Sequence, residues 1–164
     1  MKLVEGVARV DDLEEFLGAV DRIAAETGTI VQVFDARYVV SREHLERAVE
    51  LAERARNRGE EIARDPAVEI LLYAAGRRQI DRALEMGIEE GETPAVAVVV
   101  GDDGDESAAT AALGSLFADA ETLGEYDETR LREFFDVSAD ELAVVDGGLA
   151  DVVLERVALL DVEK

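Results

Sequence analysis

Apolar residues recur along the chain in two periods, and the switches between them predict a few strands separated by helices. Residues 2 to 10 suit a first strand, with Leu3, Val4, Val7 and Val10 supplying its apolar side chains. Asp11 or Asp12 then caps a helix to about Glu26, in which Leu13, Phe16, Leu17, Val20 and Ile23 recur at helical spacing before Gly28 stops it. Ile30, Val31, Val33 and Phe34 make a second strand that ends in the turn Asp35-Ala36-Arg37. Ser41 is the expected N-cap of a helix over 42–58, with Leu45, Ala48, Val49, Ala52 and Ala55 facing inward. Asp65-Pro66 opens a further helix, a capping aspartate followed by proline at the first helical position. That helix contains EILLYAAG, breaks near Gly76 and resumes through Arg78 to Met86.

The run AVAVVV from Ala95 to Val100 has no polar alternation, which predicts a strand buried on both faces and central in its sheet. An acidic turn, GDDGDE, follows at Gly101 to Glu106, and helices are expected at about 107–118, 127–135, 138–145 and 148–160. Few strands among many helices predict an α/β or α+β fold, a small sheet covered by helices, and residues 1–164 read as one domain.

Composition narrows the chemistry. There is no cysteine, so neither a thiolate nucleophile nor a cysteine-ligated metal is available. His44 is the only histidine, and Lys2 and Lys164 are the only lysines, which removes two-histidine metal helices and the P-loop Gly-Lys pair. No metal or other cofactor is expected. The longest apolar runs fall short of a membrane span, and the charged start MKLVEGVARVDD is unlike a signal peptide, so a cytoplasmic protein is expected. The net charge of -22 argues against a broad nucleic-acid surface or an anionic membrane as partner. With 39 carboxylates against 15 arginines and two lysines, the composition suits a halophilic protein, in which salt near 1 M screens charge beyond about 3 Å.

One segment departs from that acidity. Between Arg37 and Arg82 stand 10 arginines and 9 carboxylates, a formal charge of +1, while the remaining residues carry -23. Arg47, Arg54 and Arg58 fall within about 40 degrees of one another on one helix. Glu43 with Arg47, and Glu50 with Arg54, have the (i, i+4) spacing of ordinary surface pairs. Arg56, Arg58, Arg77 and Arg78 have no carboxylate at (i-4), while Arg64 has Glu60 there. Arg77 and Arg78 follow the break at Gly76, where a helix start would present free N–H groups to an anion, with Gln79 and an aromatic face on Tyr73 nearby. These are parts for gripping a short phosphate-bearing end through bidentate arginine contacts and stacking. The alternative is a solvated, salt-bridged face.

The runs DARYVVSREHLERAVELAERA at Asp35 to Ala55 and VEILLYAAGRRQIDRALEMGI at Val68 to Ile88, with LERVALLDV at Leu154 to Val162, resemble the small kinase-binding regulatory subunit of the archaeal and eukaryotic KEOPS complex, the family of PRPK-binding protein. The resemblance implies a small, mostly antiparallel sheet packed against several helices, and a protein that is not an enzyme. It implies a place in a complex that makes threonylcarbamoyladenosine in tRNA. There the family binds a small atypical kinase and the single-stranded CCA end of tRNA, and through the kinase it meets the transferase subunit indirectly. Carried onto this chain, the RNA-contact candidates are Arg56, Arg64, Tyr73, Arg77, Arg78 and Gln79, with Gly76 allowing close backbone approach. Ile70, Leu71 and Leu72 are expected in the core, and His44 with Leu45 matches the family's His-Leu pair. The scarcity of lysine departs from the family's pattern.

For the kinase interface the last two helices are the candidates. Leu142, Val145, Leu149, Val152, Val153, Val157 and Leu160 form an apolar set that either remains exposed for a partner or closes the domain core. A different class of function, a small-ligand sensor or a hydrolase using carboxylates such as Asp102 and Asp105, would place the acidic turn in a pocket.

Overall fold

The computed structural model describes residues 1–101 and 103–163, so Asp102 and Lys164 lie outside the described residues. The chain divides into two compact units, Met1–Ala36 with Gly87–Leu123, and Arg37–Met86 with Gly124–Lys164.

The first unit holds a four-stranded sheet in the order β2-β3-β1-β4, formed by β1 (Lys2–Val10), β2 (Ile30–Asp35), β3 (Gly91–Val100) and β4 (Phe117–Asp119). All three pairings are antiparallel. The register puts Val4, Ala97 and Val33 in one row, so one face is built from small and β-branched residues of three strands. On that face Val4, Val31, Val33, Ala97 and Val99 pack with Val20 of α1 (Leu13–Thr27) and with Ala109 and Leu113 of α5 (Glu106–Gly114). β3 is central, as its uniform apolar run predicts, and Ala95 to Val100 are all buried.

β4 is a correction to the helix expected over 107–118. That helix ends at Gly114, and Phe117–Asp119 pairs with β1 opposite Gly6. A β-carbon at Gly6 would come within 2.6 Å of the Phe117 β-carbon and 2.7 Å of the Ala118 carbonyl, so glycine there is what lets the short strand approach. The acidic turn has a local role: Asp105 caps α5 by accepting from the Ala108 N–H at 2.9 Å, and Glu106 accepts from the Gly101 N–H at 2.9 Å. That hydrogen bond, with the nearby N-terminal ammonium, holds the Glu106 carboxyl below its usual range.

The second unit is helical: α2 (Arg42–Asn57), α3 (Pro66–Ala75), the short α4 (Ile80–Ala83), α6 (Glu128–Phe134), α7 (Ala139–Val144) and α8 (Gly148–Glu163). α3 is its apolar centre, every residue from Glu69 to Ala75 being buried, and α2 and α8 pack against it. Ser41 caps α2 through the His44 N–H at 3.2 Å, and Asp65 caps α3 through the Ala67 N–H at 2.9 Å. Among the described residues no helix is long and apolar enough to cross a membrane.

His44 is fully buried and bonded on both sides of its ring. Nδ1 accepts from the Val40 N–H at 3.2 Å and Nε2 lies 2.8 Å from the Ala74 carbonyl, which can only accept, so the imidazole is neutral with its proton on Nε2. Burial pushes its pKa down to about 4, against a smaller opposing effect from the Ala74 hydrogen bond. Below about pH 6.5 the unfolded chain therefore binds a proton that the folded ring refuses, and stability falls as pH drops toward about 4. Relative to His44→Gln, the native chain should lose on the order of 3 kcal/mol across that window, measured by urea unfolding at pH 7.5 and 4.5. Parallel stability curves for the two proteins would contradict the assignment.

Candidate nucleic-acid interface

The site is organised by the end of α3. Gly76 adopts the left-handed conformation at φ +62, its N–H returning to the Tyr73 carbonyl at 3.1 Å and the Arg77 N–H to the Leu72 carbonyl at 3.1 Å. This corrects the expectation of a helix start at Gly76: those amides close a helix, and α4 begins only at Ile80. Glycine is required twice over, because a β-carbon would also meet the Arg156 carbonyl oxygen of α8 at 3.1 Å.

The arginines of the segment separate into two kinds. Arg56, Arg58, Arg64 and Arg78 are exposed and, among the described residues, have no ion pair. Arg47 pairs with Glu50 at 3.5 Å and Arg54 with Asp161 of α8 at 3.0 Å, in place of the Glu43 and Glu50 partners that spacing predicts. Helical spacing brought the latter pair within reach, but a carboxylate from another helix stands closer to hydrogen-bonding geometry.

Arg77 is not free. Its guanidinium carbon lies 4.8 Å from the centroid of the Phe134 ring and it donates to the Phe134 carbonyl, while its Nε is buried without a partner. Burial, with Arg82 nearby, lowers its pKa. Phe134 stacks edge-on with Phe135 at 5.0 Å, and Phe135 with the His44 ring at 5.9 Å, so Arg77 covers an aromatic cluster. Tyr73 offers no face to a base either: it is fully buried and its hydroxyl donates to Asp161 at 3.0 Å. Sequence shows an aromatic beside arginines but not which way a helix turns it.

Two hollows meet at Arg78. One, of about 220 Å³, lies between Gly76, Arg77, Arg78 and Gln79 of the loop and Arg156, Leu159, Leu160 and Glu163 of α8. The other, of about 490 Å³, is lined by Glu60, Glu61, Ile62, Arg78 and Asp161. Arg78 and Gln79 are exposed at the rim. The α8 residues were not expected here; their one sequence signal is that Arg156 is the last arginine of the chain. Arg156 is itself anchored, bidentate to Glu141 at 2.8 and 2.9 Å and donating to the Phe135 carbonyl at 3.1 Å and the Asp136 carbonyl at 3.2 Å. The pairing raises the Arg156 pKa and lowers that of Glu141. Its role is to hold α8 in place.

The apolar set on the last two helices divides as well. Leu149, Val152, Val153, Val157 and Leu160 are buried, so of the two readings left open for them the core-closing one holds and the partner-facing one is corrected: α8 turns them inward to close the helical unit. Leu142 and Val145 are half-buried. On these last two helices the large apolar side chains left in solvent are Val144 at 81%, Val162 at 80% and Leu159 at 37% exposure. Ile70, Leu71 and Leu72 are core residues, as expected. Of the acidic turn, Asp105 is used as a helix cap and Asp102 lies outside the described residues.

A sequence model of the kinase binding protein CGI-121 family matches residues 9–161. The chain belongs to that family. A comparison with curated proteins finds no match to it. The family's description supplies kinase binding, the part of the resemblance that concerns a protein partner.

The contrast between the two kinds of arginine is measurable as stability. Arg77→Ala should cost about 1–2 kcal/mol of folding free energy, whereas Arg78→Ala should stay within about 0.5 kcal/mol of the native chain. Urea unfolding of both variants checks this, and equal effects would put the Arg77 guanidinium in solvent.

Proposed function

We propose that this kinase-binding protein is a non-catalytic, cytoplasmic regulatory subunit of a KEOPS-type tRNA-modification complex, contacting the small atypical kinase and the single-stranded CCA end of tRNA. In that complex threonylcarbamoyladenosine is made by a transferase subunit, which this chain meets indirectly through the kinase. The observation that carries the RNA part is the set of exposed arginines, Arg56, Arg58, Arg64 and Arg78, without carboxylate partners among the described residues of a chain with 39 carboxylates. Arginine suits the task, since its planar fork holds phosphate or base edges in bidentate fashion and stacks on bases. The small hollow with Gln79 and Leu159 at its rim fits an unpaired end better than a duplex.

With Tyr73 buried and Arg77 committed to Phe134, the proposed RNA contacts fall to Arg56, Arg64, Arg78 and Gln79, with Gly76 and Arg77 shaping the wall. Gel retardation should detect a complex with intact tRNA that is lost when the CCA end is trimmed. Arg64→Ala and Arg78→Ala should each weaken it by on the order of 1 kcal/mol, roughly fivefold. Equal retardation of intact and trimmed tRNA would sink the reading.

The kinase-facing surface is proposed at the exposed apolar positions of α7 and α8, Val144 with half-buried Leu142 and Val145 close to it in sequence, and Val162 on the last turn of α8. Truncation before α8 is a poor test because it removes Val152, Val153 and Val157 from the core. Val144→Asp with Val162→Asp should abolish co-purification with the kinase of the same organism while leaving thermal unfolding unchanged. Retained co-purification would move the interface elsewhere.

A further inference from the structure

We infer that Glu69 is a positioning residue, fixing the loop between α2 and α3 that carries Arg64 and whose residues Glu60 to Ile62 face Arg78 across the larger hollow; this rests on the tRNA-end reading above. Glu69 sits in the first turn of α3 and is fully buried. Among the described residues it has no ion pair, an unusual state for a carboxylate taken out of water. Its oxygens are instead satisfied by the loop. Oε1 accepts from the Ile62 N–H at 3.0 Å and the Ala63 N–H at 2.8 Å, and Oε2 from the Ile62 N–H at 3.1 Å.

These are charge-assisted bonds to backbone, and they reach the two residues that immediately precede Arg64. At its other end the loop is tied by the turn after α2, through the Gly59 N–H to the Arg56 carbonyl at 3.1 Å and the Glu60 N–H to the Ala55 carbonyl at 2.8 Å. Between those ties, Glu60, Glu61 and Ile62 make the wall that faces Arg78 across the larger hollow. Without Glu69, Ile62 and Ala63 would have two unsatisfied amides next to the core, and the segment carrying Arg64 would sample many positions. An apolar residue would fill the same space in α3. The carboxylate adds a fixed path for a loop that carries one exposed arginine and faces another.

The test compares tRNA binding, urea unfolding and amide exchange in four chains beside the native one. Glu69→Met keeps the volume without an acceptor and should free the Ile62 and Ala63 amides to exchange faster, with tRNA binding weakened about two- to fivefold, no more than Arg64→Ala. Glu69→Gln retains an oxygen for the two Oε1 bonds and should bind tRNA within about twofold of the native chain. Because Glu69 acts through Arg64, Glu69→Met combined with Arg64→Ala should bind no more weakly than Arg64→Ala alone. One glycine inserted between Ala63 and Arg64 displaces the arginine while leaving the clamp in place, and should reproduce the loss of binding at unchanged stability, which decides the matter if Glu69→Met does not fold. Full tRNA affinity in Glu69→Met or in the insertion variant, or losses that simply add in the double variant, would overturn the role of Glu69. A native chain indifferent to the CCA end overturns the underlying reading, a separate result.

Discussion

The approach of α8 to Gly76 is the constraint on which the helical unit and its candidate site depend. A left-handed residue is needed to end α3, and the Arg156 carbonyl oxygen lies 3.1 Å from where a β-carbon would stand. Only glycine meets both demands cheaply. With α3 ended there, the loop from Arg77 to Gln79 emerges against α8 and a small hollow forms between them. Arg156 also fastens α8 through Glu141 and the carbonyls of Phe135 and Asp136. Thus the same helix that closes the core supplies half of the hollow's wall.

Neighbouring arginines in the loop have opposite fates for a physical reason. Arg77 leaves the cap in the direction of Phe134 and gains an aromatic face and a carbonyl, at the expense of a buried Nε. Arg78, one residue on, points to solvent and keeps its hydration. A guanidinium in water beside two hollows is available to a ligand; one lying over a ring is part of the fold. The buried neutral His44 belongs with the second kind, since its two hydrogen bonds join the loop before α2 to the end of α3.

Buried polar groups here serve chain geometry. Glu69, His44 and Tyr73 are each enclosed and each bonded to a neighbouring element: a loop, a helix end and α8 respectively. His44 and Tyr73 look like candidate chemistry in a sequence of few aromatics and one histidine. Burial together with full hydrogen bonding identifies them as fastenings, because a saturated donor or acceptor has nothing left to offer a ligand.

Local signals determined much of the fold. Asp12, Ser41 and Asp65 cap the helices they precede, the proline after Asp65 stands at a helix start, and the uninterrupted run Ala95 to Val100 is a central strand. These features are legible because caps and periodicity act over three or four residues. The segment rich in arginine was legible as composition, and the family as a set of motifs. What sequence leaves open is direction: which face of α3 Tyr73 takes, whether Arg54 meets Glu50 or Asp161, and whether Val152, Val153 and Val157 look inward or outward. The three-residue β4 was missed for the same reason, since a strand that short exists only by pairing with β1 across Gly6. Only the tertiary structure decided these, because each depends on a partner more than fifty residues away or on a packing face that nearby residues do not encode.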